Sequence, residues 1–215
     1  STAILQPARE LYGNEIHVPG DISSAAFFIC AGLIAPNSEI LIKNVGINPT
    51  RDGILTVCKA MGADLSIVKE DREKGEPTAD ILVRTSKLHG TTIDGPLIPA
   101  LIDELPVIAA MACFAEGKTV IKDAAELKVK ESNRLRVMVD GLTAMGAHVI
   151  ETEDGMIIHG GKPLCGAVID SRLDHRIAMT FAVLGLCAEG ETKVLHGECV
   201  NISYPEFYED LRRLS

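Results

Sequence analysis

The run of apolar and polar positions along this chain is written nearly three times over. From His17 it reads as a strand, a Gly20-Asp21 turn, and a helix from Ser23-Ser24 through Ala31. That helix is apolar on every side, so it is expected inside the protein, with Asp21 or Ser23 as its cap. Glu39 to Lys43 follows as a strand. Asn48-Pro-Thr-Arg51 then opens a second helix, whose residues Ile54, Val57, Cys58 and Met61 recur at helical spacing and which Gly62-Ala63 closes. Strands Asp64 to Val68 and Asp80 to Arg84 flank a polar hairpin loop, Lys69 to Thr78.

The second copy has a strand near Thr91 to Asp94, a Gly/Pro-rich loop to Asp103-Glu104, an apolar helix Leu105 to Ala115 and a strand Thr119 to Lys122. Its second helix carries Leu135, Met138, Leu142 and Met145 and ends in Ala144-Met-Gly-Ala147, answering Ala60-Met-Gly-Ala63. Strands His148 to Glu151 and Met156 to His159 close it. The third copy runs from a strand at Gly166 to Asp170 through Asp174-His-Arg176, an apolar helix Ile177 to Ala188, a strand Thr192 to His196 and a helix opened by Ser203-Tyr-Pro205. It stops before the closing strand pair, so a strand from elsewhere in a longer polypeptide is expected to complete it. A period of roughly 70 to 85 residues is too long for common solenoids. The pattern therefore predicts an α/β fold with a pseudo-threefold repeat of βαβαββ units. Three buried parallel helices stand in the middle, and sheets and amphipathic helices lie outside. Residues 1–16, with a turn at Tyr12-Gly-Asn14, read as a linker or truncated start. Residues 17–215 read as one domain with units of about 17–85, 86–160 and 161–215.

Composition narrows the function. The 215 residues are 47% hydrophobic, enough for a full core, and carry 30 acidic against 21 basic side chains for a net charge of −9. No basic face for nucleic acid is expected, and 4% aromatic content argues against stacking platforms. The six cysteines are far apart, with no CxxC pair, and several sit in apolar runs. They read as reduced packing residues, which together with the lack of a signal or membrane-length apolar run predicts a cytoplasmic location.

What remains is local charge at helix entrances. Lys128-Val-Lys-Glu-Ser-Asn-Arg134 crowds ionisable groups where backbone N–H groups are unpaired and the helix dipole is positive. Taken alone, such a run is a solvated, ion-paired turn. A pseudo-threefold axis would, however, bring Asp21 to Ser24, Asp103-Glu104, Lys130 to Arg134 and Asp174 to Arg176 to one end of the domain. Four positive helix ends with Lys130, Arg134 and Arg176 would then suit a small anion bearing phosphate and carboxylate groups.

Four strings in this order, Asp103-Glu-Leu-Pro106, Lys128 to Leu135, Asp174-His-Arg-Ile-Ala-Met179 and Ser203-Tyr-Pro205, resemble the 5-enolpyruvylshikimate-3-phosphate synthase family. The likeness covers nearly the whole chain. It implies a two-domain enzyme with an enolpyruvyl transferase-like inside-out α/β barrel in each half, this chain being the C-terminal half, inactive without the N-terminal one. The implied reaction moves the enolpyruvyl group of phosphoenolpyruvate to the 5-hydroxyl of shikimate 3-phosphate and releases phosphate, in the shikimate route to aromatic amino acids. No metal or redox cofactor is implied, and glyphosate competes with phosphoenolpyruvate in the family. A monomer is expected, with no nucleic-acid or membrane partner.

By the same resemblance, Asp103 accepts the hydroxyl proton and orients shikimate 3-phosphate, and Glu131 gives and takes the proton at C3 of phosphoenolpyruvate. Lys130 touches shikimate 3-phosphate and the reacting centre, while Arg134 and Arg176 hold phosphoenolpyruvate and stabilise the tetrahedral intermediate. Asp174 and His175 complete the substrate-binding set, His175 in a supporting role. Each has a plainer reading: Asp103 as a helix N-cap, Glu131 as an exposed first-turn carboxylate, Lys130 as a solvated lysine and Arg176 as a buried partner of Asp174. Two departures stand out. Ile202 occupies the place of a family lysine, and Asn133 that of a frequent aspartate, where it should soften a local ion pair. Two rival readings are a UDP-N-acetylglucosamine enolpyruvyl transferase-like domain, which would need a reactive cysteine in a polar loop, and a non-catalytic domain binding phosphorylated metabolites.

Overall fold

The computed structural model describes residues 2–13, 15–72 and 75–214. Its first run of elements is α1 (Ile22–Ile34), β1 (Glu39–Gly46), α2 (Gly53–Ala60), β2 (Asp64–Asp71) and β3 (Thr78–Arg84). The second is β4 (Thr92–Ile93), α3 (Leu105–Phe114), β5 (Lys118–Ile121), α4 (Arg134–Ala144), β6 (His148–Glu151) and β7 (Met156–His159). The third is β8 (Val168–Asp170), α5 (His175–Gly185), β9 (Lys193–Leu195) and α6 (Phe207–Leu214).

The helices α1, α3 and α5, apolar along most of their length after the first turn, pack against one another in the middle, as runs with no polar face must. Around them lie three separate sheets, ordered β1-β3-β2, β4-β5-β7-β6 and β8-β9. Among the described residues no sheet closes into a continuous barrel; helices close the ring instead. Phe207 of α6 meets Phe27 and Phe28 of α1 with ring centroids 5.9 and 5.8 Å apart, joining the third run to the first.

The repeat is repeated in detail. Gly62 and Gly146 both take positive φ (+77° and +84°) just past α2 and α4. Ala63 N donates to Cys58 O at 3.0 Å and Ala147 N to Leu142 O at 2.9 Å, the same helix-ending hydrogen bond twice. His89 N and Cys165 N then tie each following unit back to Met61 O and Met145 O, at 3.0 and 2.9 Å.

Several boundaries differ from the sequence reading. The strand expected from His17 does not form: Pro19 has no N–H to give, and the run pairs with β1 only at Gly20, through Gly20 N to Asn44 O (2.7 Å) and Gly46 N to Gly20 O (2.8 Å). Residues 48–51 are a turn in which Asn48 Oδ1 accepts from Thr50 N, so α2 starts only at Gly53. Short 3-10 turns at Gly95–Ala100, Ala125–Val129 and Gly197–Ile202 precede α3, α4 and α6, where the sequence suggested plain loops or helix starts. β2 and β3 extend their pairing to Asp71 and Thr78, shortening the expected loop, whose tip at Glu73-Lys74 lies outside the described residues, as does Asn14 of the expected first turn.

The third sheet ends at β9, where the first two sheets continue with an antiparallel strand pair. Beside it a cleft of about 520 Å³ is lined by Phe181, Ala182 and Gly185 of α5, Thr192 and Val194, Gly197 and Glu198, and Tyr208 of α6. All six cysteines are free thiols; burial pushes Cys58 and Cys113 up to about 12. Among the described residues no helix is long and apolar enough to cross a membrane.

Candidate active site

Each helix entrance is built by a local acceptor. Asp21 caps α1, its carboxylate accepting from Ser23 N (3.2 Å) and Ser24 N (2.9 Å). Asp174 caps α5, accepting from Arg176 N (3.0 Å) and Ile177 N (3.4 Å). Asn133 caps α4 through Arg136 N at 3.1 Å, a task its amide oxygen performs without charge. At α3, Glu104 stands at the cap position and Pro106 occupies the first turn, where a missing N–H is harmless.

These entrances meet at one end of the central helices, as the repeat predicts. Arg134 is the hub. Its Nε donates to Asp174 Oδ2 at 2.9 Å, its Nη1 to Asp103 Oδ1 at 3.0 Å and its Nη2 to Glu131. Only 1% of the Arg134 side chain is exposed and none of Asp174, which also accepts from Ser132 Oγ at 2.9 Å. Asp174 is thus spent on α5's cap, on Arg134 and on Ser132, so it aims other residues rather than facing a ligand. The buried aspartate pairing imagined for Arg176 is made by Arg134.

Arg176 lies across the same carboxylates at longer range. Its Nη1 donates to Asp103 O at 3.4 Å, and its nitrogens stand 3.8 Å from Asp103 Oδ2 and 3.9 Å from Glu104 Oε1. Lys130 Nζ reaches Glu126 at 2.7 Å and Asp103 at 3.6 Å. Asp103 therefore has three cations around it. Burial alone would raise its carboxyl, but Arg176, Lys130 and Arg134 outweigh burial and hold it below the ordinary aspartate range. His175 is buried, and burial followed by the charge of Arg176 lowers its pKa, so its ring is neutral at pH 7.

Sequence reading found Asp103, Lys130, Glu131, Arg134, Asp174, His175 and Arg176, and the fold gathers all of them. Ser23, Glu104 and Ser132 lie in runs expected at this end but were given no role there, and Arg51 and Glu126 were missed. Ser23 Oγ donates a hydrogen bond to Glu104, and Arg51 Nη2 approaches Ser23 Oγ at 3.3 Å. The repeat held the clue for Arg51, which sits before α2 as Arg134 sits at the start of α4. The site also holds more acid than expected: five carboxylates (Asp103, Glu104, Glu126, Glu131, Asp174) face Arg51, Lys130, Arg134 and Arg176. An anion entering here competes with carboxylates already in place, of which Glu126 and Glu131, with 62% and 51% of their side chains exposed, are the most open. Among the described residues no three His, Cys, Asp or Glu side chains converge as a metal site would require. Ile202 is exposed at the end of the turn before α6.

A family model described as EPSP synthase (3-phosphoshikimate 1-carboxyvinyltransferase) matches residues 1–211. The 3-phosphoshikimate 1-carboxyvinyltransferase of Thermoanaerobacter pseudethanolicus is 59% identical over 203 residues, which are 94% of this chain and 48% of that protein. The Brevibacillus brevis protein of the same name is 52% identical over 214 residues, covering 100% of this chain and 50% of its own length. An EPSP synthase structure from Acinetobacter baumannii superposes with a TM-score of 0.92 at 43% identity, over 96% of this chain and 48% of that one. The enolpyruvyl transferase NikO from Streptomyces tendae (TM-score 0.70, 19% identity, 90% of this chain and 42% of that one) shares the fold. The chain spans about half the length of the curated relatives it matches. A family model over almost every residue, relatives above half identity and one shared fold make the conclusion plain: the chain belongs to the EPSP synthase family.

Proposed function

We propose that this chain supplies one half of a two-domain, cytoplasmic, monomeric enzyme. That enzyme transfers the enolpyruvyl group of phosphoenolpyruvate to the 5-hydroxyl of shikimate 3-phosphate and releases phosphate. Residues 17–215 form the domain, and the remaining half of the polypeptide forms the opposite wall of the cleft. The observation that carries this reading is Asp103 beside three cations and bridged by Arg134 to Glu131, a second carboxylate. A site for binding an anion alone gains nothing from two acids.

The proposed roles follow from position. Asp103, held ionised by its neighbours, accepts a hydrogen bond and then the proton from the attacking hydroxyl. Glu131, half-exposed, delivers a proton to C3 as the hydroxyl oxygen bonds to C2, and removes a C3 proton when the C2–O bond to phosphate breaks. Lys130 and Arg176 face the negative charge of the tetrahedral intermediate. Asp174, Ser132 and His175 position these groups.

The rival reading as a UDP-N-acetylglucosamine enolpyruvyl transferase fits less well. The exposed thiol, Cys165, bonds through its backbone to the C-terminal end of α4, opposite the helix starts that make the site. A chimaera in which this chain replaces the matching half of the Thermoanaerobacter protein tests the proposal. Phosphate release should require both phosphoenolpyruvate and shikimate 3-phosphate, and the chain alone should release none. Turnover with the sugar nucleotide instead, or by the chain alone, would refute it.

A further inference from the structure

The roles above leave one buried acid unused. Glu104, 2% exposed, lies where the starts of α1 and α3 meet. Ser23 Oγ donates to its Oε1, and the same hydroxyl is approached by Arg51 Nη2 at 3.3 Å, so one face of the carboxylate is fixed by the first unit of the repeat. That Oε1 atom faces Arg176 Nη1 at 3.9 Å.

Arg176 needs such a director. It donates to Asp103 O at 3.4 Å and lies 3.8 Å from Asp103 Oδ2 and 3.9 Å from Glu104 Oε1, whereas Arg134 is locked by bonds of 2.9 and 3.0 Å to Asp174 and Asp103. A guanidinium without short bonds is steered by the field of nearby charge, and that field is strongest from a carboxylate shielded from water. Packing does not explain the acid. Burial pushes the Glu104 carboxyl up, the Ser23 hydrogen bond and the charges of Arg176 and Arg51 pull it back down, and neighbouring Asp103 opposes them; burial wins. A neutral amide would fill the space and keep the Ser23 bond without that penalty.

We propose that Glu104, aimed by Ser23 and countered by Arg51, is a positioning residue that holds the Arg176 guanidinium toward the open side of the site, where an anionic substrate group is received. The substrate part of this inference rests on the function proposed above; the orientation of Arg176 does not.

The test separates the two. In the 215-residue chain, side-chain NMR of the arginine Nε–Hε groups should show a resolved, slowly exchanging Arg176 signal, assigned by its loss in Arg176→Lys. In Glu104→Gln that signal should collapse to the averaged position of a free arginine, while the Arg134 signal stays and the Tm at pH 7 does not fall. In the chimaera, Glu104→Gln should raise KM for phosphoenolpyruvate about tenfold, the loss expected for one charge-assisted contact, with kcat within about twofold. Ser23→Ala should follow in the same direction. An unchanged Arg176 signal, or an unchanged or lowered KM in an active chimaera, overturns the proposal and leaves Glu104 a packing residue. A chimaera without turnover counts against the function reading, and the NMR result alone then decides the role of Glu104.

Discussion

Arg134 and Asp174 form the pair on which the others lean. Removing one partner from a buried ion pair leaves the other charge stranded, which costs far more than the pair contributes. Asp174→Asn also weakens α5's cap and the hold on Ser132. It should lower unfolding free energy by about 3 kcal/mol in urea titrations. The two acids at the α3 entrance should behave oppositely with pH. Glu104 titrates above the ordinary glutamate value of 4.5, chiefly through burial, so its contribution to stability is present below that value and is lost as pH rises through its folded pKa. Asp103 titrates below 3.8 because its three cations outweigh burial; its contribution is present above that value and is lost as pH falls through its folded pKa. The Tm of Glu104→Gln relative to wild type should therefore rise between pH 4 and pH 7. That of Asp103→Asn should fall between pH 2 and pH 6.

At the scale of elements, the central helices were legible because their apolar runs leave no polar face, and α2 and α4 because each ends in Met-Gly-Ala with glycine at positive φ. The 3-10 turns were not legible, since runs of five or six residues carry no helical period. Nor was the loss of the first strand, which turns on Pro19 and on the single pairing at Gly20. For the site, residue type and order named the participants but not which arginine is buried. That depends on Asp174 turning inward beneath Ser132 and Arg134, a packing result. Caps are where element and site meet, so Asp21→Ala should cost about 1 kcal/mol in thermal unfolding through α1's two orphaned N–H groups.

Across the whole molecule the three units are unequal. Sheets one and two carry an antiparallel strand pair beyond β1 and β5, while among the described residues β9 has a free edge beside the cleft at α5. An open edge needs a strand or a cover, and the other half of the two-domain enzyme proposed above would provide one. Amide exchange of Lys193 to Leu195 should therefore slow markedly in the chimaera relative to the chain alone, whereas exchange in β3 and β7 should not change. Completing the third sheet and closing the cleft over the gathered helix starts are, on this account, one event. A charge-stabilising site open to water loses most of its effect. The most direct test of the central claim is kcat for phosphate release by the chimaera carrying Asp103→Ala or, separately, Glu131→Gln. Each is predicted to fall about a hundredfold or more with the fold intact; turnover at the unsubstituted rate in both would show that these carboxylates do not perform the transfer.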